Sequence, residues 1–256
     1  MGANRGKVWL VGAGPGAPDL LTLRAARLIE RADVLFHDAL VHPDTIALAS
    51  RAEKIAVGKR CGKHSTAQAF INKRLVDAAK RHACIVRLKG GDPMLFGRAQ
   101  EEIDALAAAG IEVEVVPGIT AALAASASIG VSLTRRALSR NVTFVTPRVG
   151  ENEPASHWVR SVIGADTAVI YMGAGQAPAI ASALIENGLP PSTPVALVES
   201  ASLPSESRCF GTLAGLEALA ATVGTGPVVI VLGEVLREQL SATLADPARA
   251  GGRIAA

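Results

Sequence analysis

The residues Gly90-Gly91-Asp92-Pro93 end an apolar run, Ile85 to Lys89, and lead into Met94-Leu95-Phe96-Gly97. Gly90 and Gly91 lack Cβ atoms, so the backbone there can turn sharply and lie against a bound molecule. Pro93 biases Asp92 away from helix. Read alone, the four residues fit a tight structural turn as well as a binding loop. Asp38 and Lys59 follow two further apolar runs and are candidates for acid–base work, although a surface ion pair or helix cap is the commoner fate of such a residue. His64 follows Gly62-Lys63 in a polar loop, of the kind that covers a site or is simply exposed. Glu101-Glu102 is expected on a solvated helix face and not as a catalytic pair.

A second glycine cluster offers a different chemistry. Gly12-x-Gly14-x-x-Ala17 lies between a strand pattern and a helix pattern, as a dinucleotide fingerprint does. Asp38 falls where a ribose-binding acid would stand, at the end of the next strand. On spacing alone an NAD-linked oxidoreductase is a live reading. Two details oppose it. Pro15 removes a backbone N–H that would face a pyrophosphate, and the helix starts late, after Pro18-Asp19.

Strands are expected at 7–11, 34–37, 54–57, 85–89 and 113–116, each ending in turn residues. Between them, helical patterns cover about 18–31, 67–81, 97–109 and 119–128, with apolar faces such as Ile71, Leu75, Val76 and Ala79. This alternation predicts an α/β fold with a parallel sheet, all of whose strand ends open at one edge. The polar segment Leu133-Thr134-Arg135-Arg136 is read as a domain boundary. A second α/β set follows, with strands at 141–146, 167–172, 195–199, 208–211 and 228–232. The expected organisation is an N-terminal α/β domain at 1–134, a C-terminal α/β domain at 135–238, and a disordered tail at 239–256.

Composition excludes several classes. The net charge is only +3 and aromatic residues make up 3% of the chain, so no basic arm or stacking platform for nucleic acid is evident. Cys61, Cys84 and Cys209 are odd in number and unpaired in spacing, which suits a reducing compartment and gives no case for zinc. The polar start at 1–7 has no signal-peptide character. The uncharged stretches 115–134 and 167–185 are broken by Gly and Pro and read as buried core, not membrane spans. A cytoplasmic location is expected.

Taken together, the motifs resemble one family. V-G-A-G-P-G at 11–16, D-L-L-T-L at 19–23, D-A-L-V at 38–41 and G-K-R-C-G-K-H-S at 58–65 occur in order. Q-x-x-I-N at 68–72, V-R-L-K-G-G-D-P at 86–93, F-G-R at 96–98, V-V-P-G-I-T-A at 115–121, Y-M-G at 171–173 and L-G-E at 232–234 follow. The chain resembles the tetrapyrrole methylases over roughly residues 7–235, most nearly those that methylate uroporphyrinogen III. The resemblance implies two α/β domains with S-adenosylmethionine in the cleft between them, and a homodimer. It implies cofactor contacts at Pro15, Gly90, Gly91, Asp92, Leu95, Thr120, Ala121, Met172 and Ala201. It matches a proton acceptor to Asp38 and a proton donor to Lys59. The implied reaction places two methyl groups on uroporphyrinogen III, at C2 and C7, giving precorrin-2 for sirohaem or cobalamin synthesis.

Such chemistry needs alignment of sulfur, methyl and carbon more than a strong nucleophile. The substrate's eight carboxylates call for a basic rim, for which Arg60, Lys63, Arg135, Arg136, Arg140 and Arg148 are candidates. The chain departs from the family's pattern at His37, where Tyr is usual, at Val145-Thr146-Pro147-Arg148, and at 200–208. These departures bear on the substrate side and leave room for a sister precorrin methyltransferase.

Overall fold

The computed structural model describes residues 6–57, 66–149 and 156–245. The chain divides into two compact units, Met1–Ala121 and Ala122–Ala256.

In the first unit five strands, β1 (Lys7–Gly12), β2 (Val34–His37), β3 (Glu53–Ala56), β4 (Cys84–Lys89) and β5 (Val113–Val116), form one sheet. Its order is β3-β2-β4-β1-β5 and every pairing is parallel. The expected parallel sheet is therefore present. Its register sets Gly12 beside Lys89, Val11 beside Val116 and His37 beside Leu88, so the strand ends share one edge. Between strands run α1 (Leu23–Arg31), α2 (Pro43–Ala47), α3 (Thr66–Ala79) and α4 (Ala99–Ala108). The alternation of side chains along β4 divides the core in two. Ile85 packs with Val8, Phe36, Ile71, Leu75 and Leu106 on the α3/α4 side. Val86 and Leu88 pack with Ala25, Leu28 and Ile29 on the α1 side.

The first helix differs from expectation. Pro18–Leu20 is a separate 3-10 turn, and α1 starts only at Leu23. Thr22 is the reason: its Oγ1 accepts from Ala25 N at 3.1 Å, capping a new helix start. With the helix starting there, Leu23 is 76% exposed, while Ala25, Leu28 and Ile29 are buried.

The second unit begins at the second residue of α5 (Ala121–Ile129) and holds β6 (Val142–Val145), α6 (Trp158–Ile163), β7 (Thr167–Tyr171) and α7 (Ala177–Glu186). It continues with β8 (Pro194–Glu199), β9 (Ser207–Thr212), α8 (Leu216–Ala220), β10 (Val228–Gly233) and α9 (Arg237–Ala245). The sheet order is β6-β7-β10-β8-β9; only β6–β7 is parallel, and the other pairings are antiparallel. The core contains Ile170, Leu184, Leu197, Leu213 and Ile230.

The compact units divide earlier than the polar segment at 133–136. Helix α5 belongs with the second: Ala122 N donates to Tyr171 Oη at 3.0 Å, and Ser128 Oγ to Glu206 Oε1 at 2.6 Å. Arg135 and Arg136 lie in a surface turn closed by Arg135 N bonding to Ser139 O at 2.9 Å. The expected tail at 239–256 is in part helical, because Leu236, Leu240 and Thr243 recur on one buried helix face; residues 246–256 lie outside the described residues. No helix among the described residues is long and apolar enough to cross a membrane.

Candidate active site

The site is built at the strand-end edge of the first unit. Here the loops after β1, β4 and β5 are stitched together by backbone. Gly14 N donates to Gly91 O at 3.2 Å, Gly91 N returns to Gly14 O at 2.7 Å, and Ala13 N donates to Lys89 O at 2.7 Å. Asp92 ties the loops further. Its Oδ1 accepts from Met94 N at 2.8 Å and its Oδ2 from Gly118 N at 2.9 Å. That carboxylate therefore organises the loop backbone.

The glycines fall into two kinds. A Cβ on Gly12 would meet the Cα and N of Gly118 at 2.5 Å and Gly91 O at 2.8 Å. Gly12 is thus required by loop-to-loop packing. A Cβ on Gly90 would meet only Leu40 Cβ at 3.6 Å, and one on Gly91 only Thr120 Cα at 3.9 Å. These two present bare backbone to space that protein atoms do not fill, and Gly91 holds a left-handed φ of 67°. Pro15, Leu95 and Thr120 are half-buried in the same three loops, as is Ala121 at the start of the following helix.

Beneath this edge lies a buried charge network. Arg87 and Lys89 point to the same face as Ile85, where α4 brings Glu102. Arg87 is 2% exposed, Lys89 3% and Glu102 0%. Glu102 Oε1 accepts from Arg87 Nε at 3.1 Å, Lys89 Nζ at 3.1 Å and Gln68 Nε2 at 3.2 Å. Arg87 Nη2 then reaches Asp38 Oδ1 at 2.6 Å. Burial pulls the Lys89 ammonium below its ordinary value, the Arg87 charge adds to this, and Glu102 opposes it. For Arg87, burial acts downward, but Asp38 and Glu102 outweigh it and hold its pKa above the ordinary value. Gln68 Nε2 also donates to Asn72 Oδ1 at 2.9 Å, and Asn72 Nδ2 to Glu101 O at 3.1 Å. The Q-x-x-I-N motif thereby joins α3 to α4.

The expectation for Glu101-Glu102 is half corrected. Glu101 is exposed and pairs with Arg98 Nε at 2.6 Å, whereas Glu102 is a fully buried anion. The missed signal was present: Ala99, Glu102 and Leu106 share one helical stripe, facing a strand that carries two cations at alternate positions.

Asp38 is half-buried, its side chain 29% exposed. Lys59, Arg60, Lys63 and the His64 loop lie outside the described residues. In the second unit Met172 follows β7 with φ 56°, exposed. Ala201 is buried between Ser200 (φ 51°) and Ser202 (φ 74°). Such positive φ in non-glycine residues is strained backbone of the kind that clusters at binding sites. Arg135, Arg136, Arg140 and Arg148 are all exposed; Arg135 pairs with Glu238 at 2.8 Å. No group of three or more His, Cys, Asp or Glu among the described residues is placed to hold a metal ion.

Comparison with known proteins places this arrangement. The model of the tetrapyrrole (corrin/porphyrin) methylases matches residues 7–217. The chain belongs to the tetrapyrrole methylase family. It is 40% identical to a uroporphyrin-III C-methyl transferase from Thermus thermophilus, solved in complex with S-adenosyl homocysteine. That match has a TM-score of 0.78 and covers 91% of this chain and all of the other. A cobalt precorrin-4 methyltransferase matches with TM-score 0.78 at 26% identity, over 90% of this chain and 95% of that one. Siroheme synthases of Pseudomonas fluorescens and Chromobacterium violaceum are each 46% identical over 92% of this chain. The chain spans about half the length of these curated relatives.

The methyl donor of the tetrapyrrole methylase family is S-adenosylmethionine, and the residues at this edge fit that group. Bare backbone at Gly90 and Gly91, beside Thr120, is a cradle that any side chain would fill. The dinucleotide reading of the Gly12 motif does not survive. β4 stands between β1 and β2, so the sheet lacks the Rossmann adjacency of its first two strands. The helix after the glycine turn is capped at Thr22, away from Gly12, and offers no N-terminus to a pyrophosphate.

Proposed function

We propose that the protein transfers two methyl groups from S-adenosylmethionine to uroporphyrinogen III, at C2 and C7, giving precorrin-2. The observation that carries this is the likeness to the Thermus thermophilus uroporphyrin-III C-methyl transferase, which extends over nine-tenths of the chain. In this reading Pro15, Gly90, Gly91, Asp92, Leu95, Thr120 and Ala121 of the first unit hold the donor, as do Met172 and Ala201 of the second. Bound there, the sulfonium supplies an electrophilic methyl group and leaves as a neutral thioether.

The chain's own part is alignment and proton handling. Backbone amides and carbonyls in loops locked by Asp92 give a fixed geometry, which is where an aligned displacement gains most. Asp38 accepts the proton that the methylated macrocycle must lose, with Arg87 holding one of its oxygens. Lys59 serves as proton donor. Exposed Arg136, Arg140 and Arg148 are offered to the substrate carboxylates, with Arg60 and Lys63. The protein acts as a homodimer in the cytoplasm, as part of sirohaem or cobalamin synthesis.

A sister activity on a later corrinoid precursor is the second reading. It is favoured by the match to the cobalt precorrin-4 methyltransferase and by the departures at His37, Pro147-Arg148 and 200–208. A substrate panel with mass readout separates the two. Two methyl groups added to uroporphyrinogen III support the first; methylation of a later precursor alone overturns it.

A further inference from the structure

Glu102 is a buried carboxylate with an uneven arrangement. Its Oε1 receives Arg87, Lys89 and Gln68, while its buried Oε2 meets no donor among the described residues. A buried ion pair is weak as a stabilising device, since well-packed apolar residues serve as well. The network does have direction. Arg87 spans it, with Nε on Glu102 and Nη2 on Asp38 Oδ1 at 2.6 Å. A guanidinium is planar, so an anchor at Nε fixes the direction in which Nη2 points. Asp38 Oδ2 makes no hydrogen bond with the described residues, which leaves that oxygen for a proton. Two buried cations, Arg87 and Lys89, share the one buried carboxylate of Glu102, and the half-exposed Asp38 supplies the second acidic partner. The Lys89 side chain also passes close to Gly97: a Cβ there would approach Lys89 Cε at 3.2 Å.

We infer that Glu102 is a positioning residue, which sets the Asp38 carboxylate for proton acceptance through Arg87. The inference rests on the reading of Asp38 as proton acceptor, and goes beyond it by naming the residue that aims it. Glu102 itself touches neither donor nor substrate.

The test is a double-substitution cycle in the intact chain, with Glu102→Gln and Asp38→Asn. Gln keeps the shape and one acceptor oxygen but removes the charge. Glu102→Gln should lower kcat about tenfold, with KM for S-adenosylmethionine and affinity for S-adenosylhomocysteine within about twofold of wild type. In the Asp38→Asn background the same substitution should change kcat by less than about twofold, because the group it aims is already gone. Equal kcat losses in both backgrounds would mean a structural defect and overturn the inference. Wild-type kcat in Glu102→Gln alone would do the same. Should Glu102→Gln fail to fold, Glu102→Gln/Lys89→Met removes the pair together and is carried through the same cycle. Wild-type turnover by Asp38→Asn alone would overturn the reading of Asp38, a result read from a different variant.

Discussion

The two kinds of glycine at the strand-end edge should separate stability from binding. Gly12→Ala places a methyl about 1 Å inside ordinary contact distance of Gly118 backbone. Backbone does not move aside as a side-chain tip does, so overpacking lies near the upper end of its usual range, about 3 kcal/mol. The reduced freedom of the unfolded chain offsets about 0.4–1 kcal/mol. The net loss is about 2 kcal/mol, or a fall in Tm of about 4–8 °C for a chain of this size. Gly90→Ala has the opposite profile. It has no left-handed φ, and its new methyl meets only Leu40 Cβ at 3.6 Å. Its Tm should hold or rise by about 1–4 °C, from the same unfolded-state effect. Its affinity for S-adenosylhomocysteine should fall at least about tenfold, roughly 1.4 kcal/mol, as the methyl enters the cradle. Differential scanning calorimetry and isothermal titration calorimetry on both variants read the two quantities. Wild-type affinity in Gly90→Ala, with Tm unchanged, would refute the assignment of this loop as the donor's cradle.

Asp38→Asn should lower turnover by about a hundredfold or more, the usual worth of a positioned proton acceptor, while calorimetric affinity for S-adenosylhomocysteine stays near wild type. Glu199 accepts from Gly224 N at 2.8 Å and Gly226 N at 2.7 Å; Glu199→Gln turns an acceptor oxygen into a donor and should destabilise by about 1–3 kcal/mol in urea unfolding. At Glu206, burial acts upward, but bonds from Ser128 Oγ, Ser202 N and Arg208 Nε outweigh it and hold the carboxyl below its ordinary 4.5. The unfolded chain then binds the proton more readily, so this stabilisation is full above pH 4.5 and fades as pH falls through the folded-state value. The stability gap between wild type and Glu206→Gln should therefore narrow below pH 4.5 in pH-dependent urea titrations.

Periodicity carried much of this architecture. The alternation of apolar runs and helical stripes in 7–116 marks five strands and predicts the parallel sheet, because both signals are local. Strand order is not local. That β4 stands between β1 and β2 follows from pairings many residues apart, and it is what removes the dinucleotide reading of Gly12. In the second unit the antiparallel pairing of β8, β9 and β10 depends on connections whose direction no hydrophobic pattern encodes. Pro18-Asp19 carries a helix-start signal of its own, and that α1 starts instead at the Thr22 cap is seen in the structure. Glu102 illustrates a different failure. Two adjacent glutamates read as solvated surface, and only the facing of α4 on Arg87 and Lys89 shows that one of them is core. Arg87 and Lys89, two apart in an otherwise apolar strand, were the sequence's notice that a buried counter-charge must exist.

The methylated carbons themselves can be read directly from the product. Purified protein should be incubated with enzymatically generated uroporphyrinogen III and S-adenosylmethionine carrying a carbon-13 methyl, and the product examined by NMR. Two labelled methyl signals, assigned to C2 and C7, are the predicted result. A single labelled methyl at another ring carbon, or no transfer to uroporphyrinogen III while a later corrinoid precursor is labelled, would contradict it.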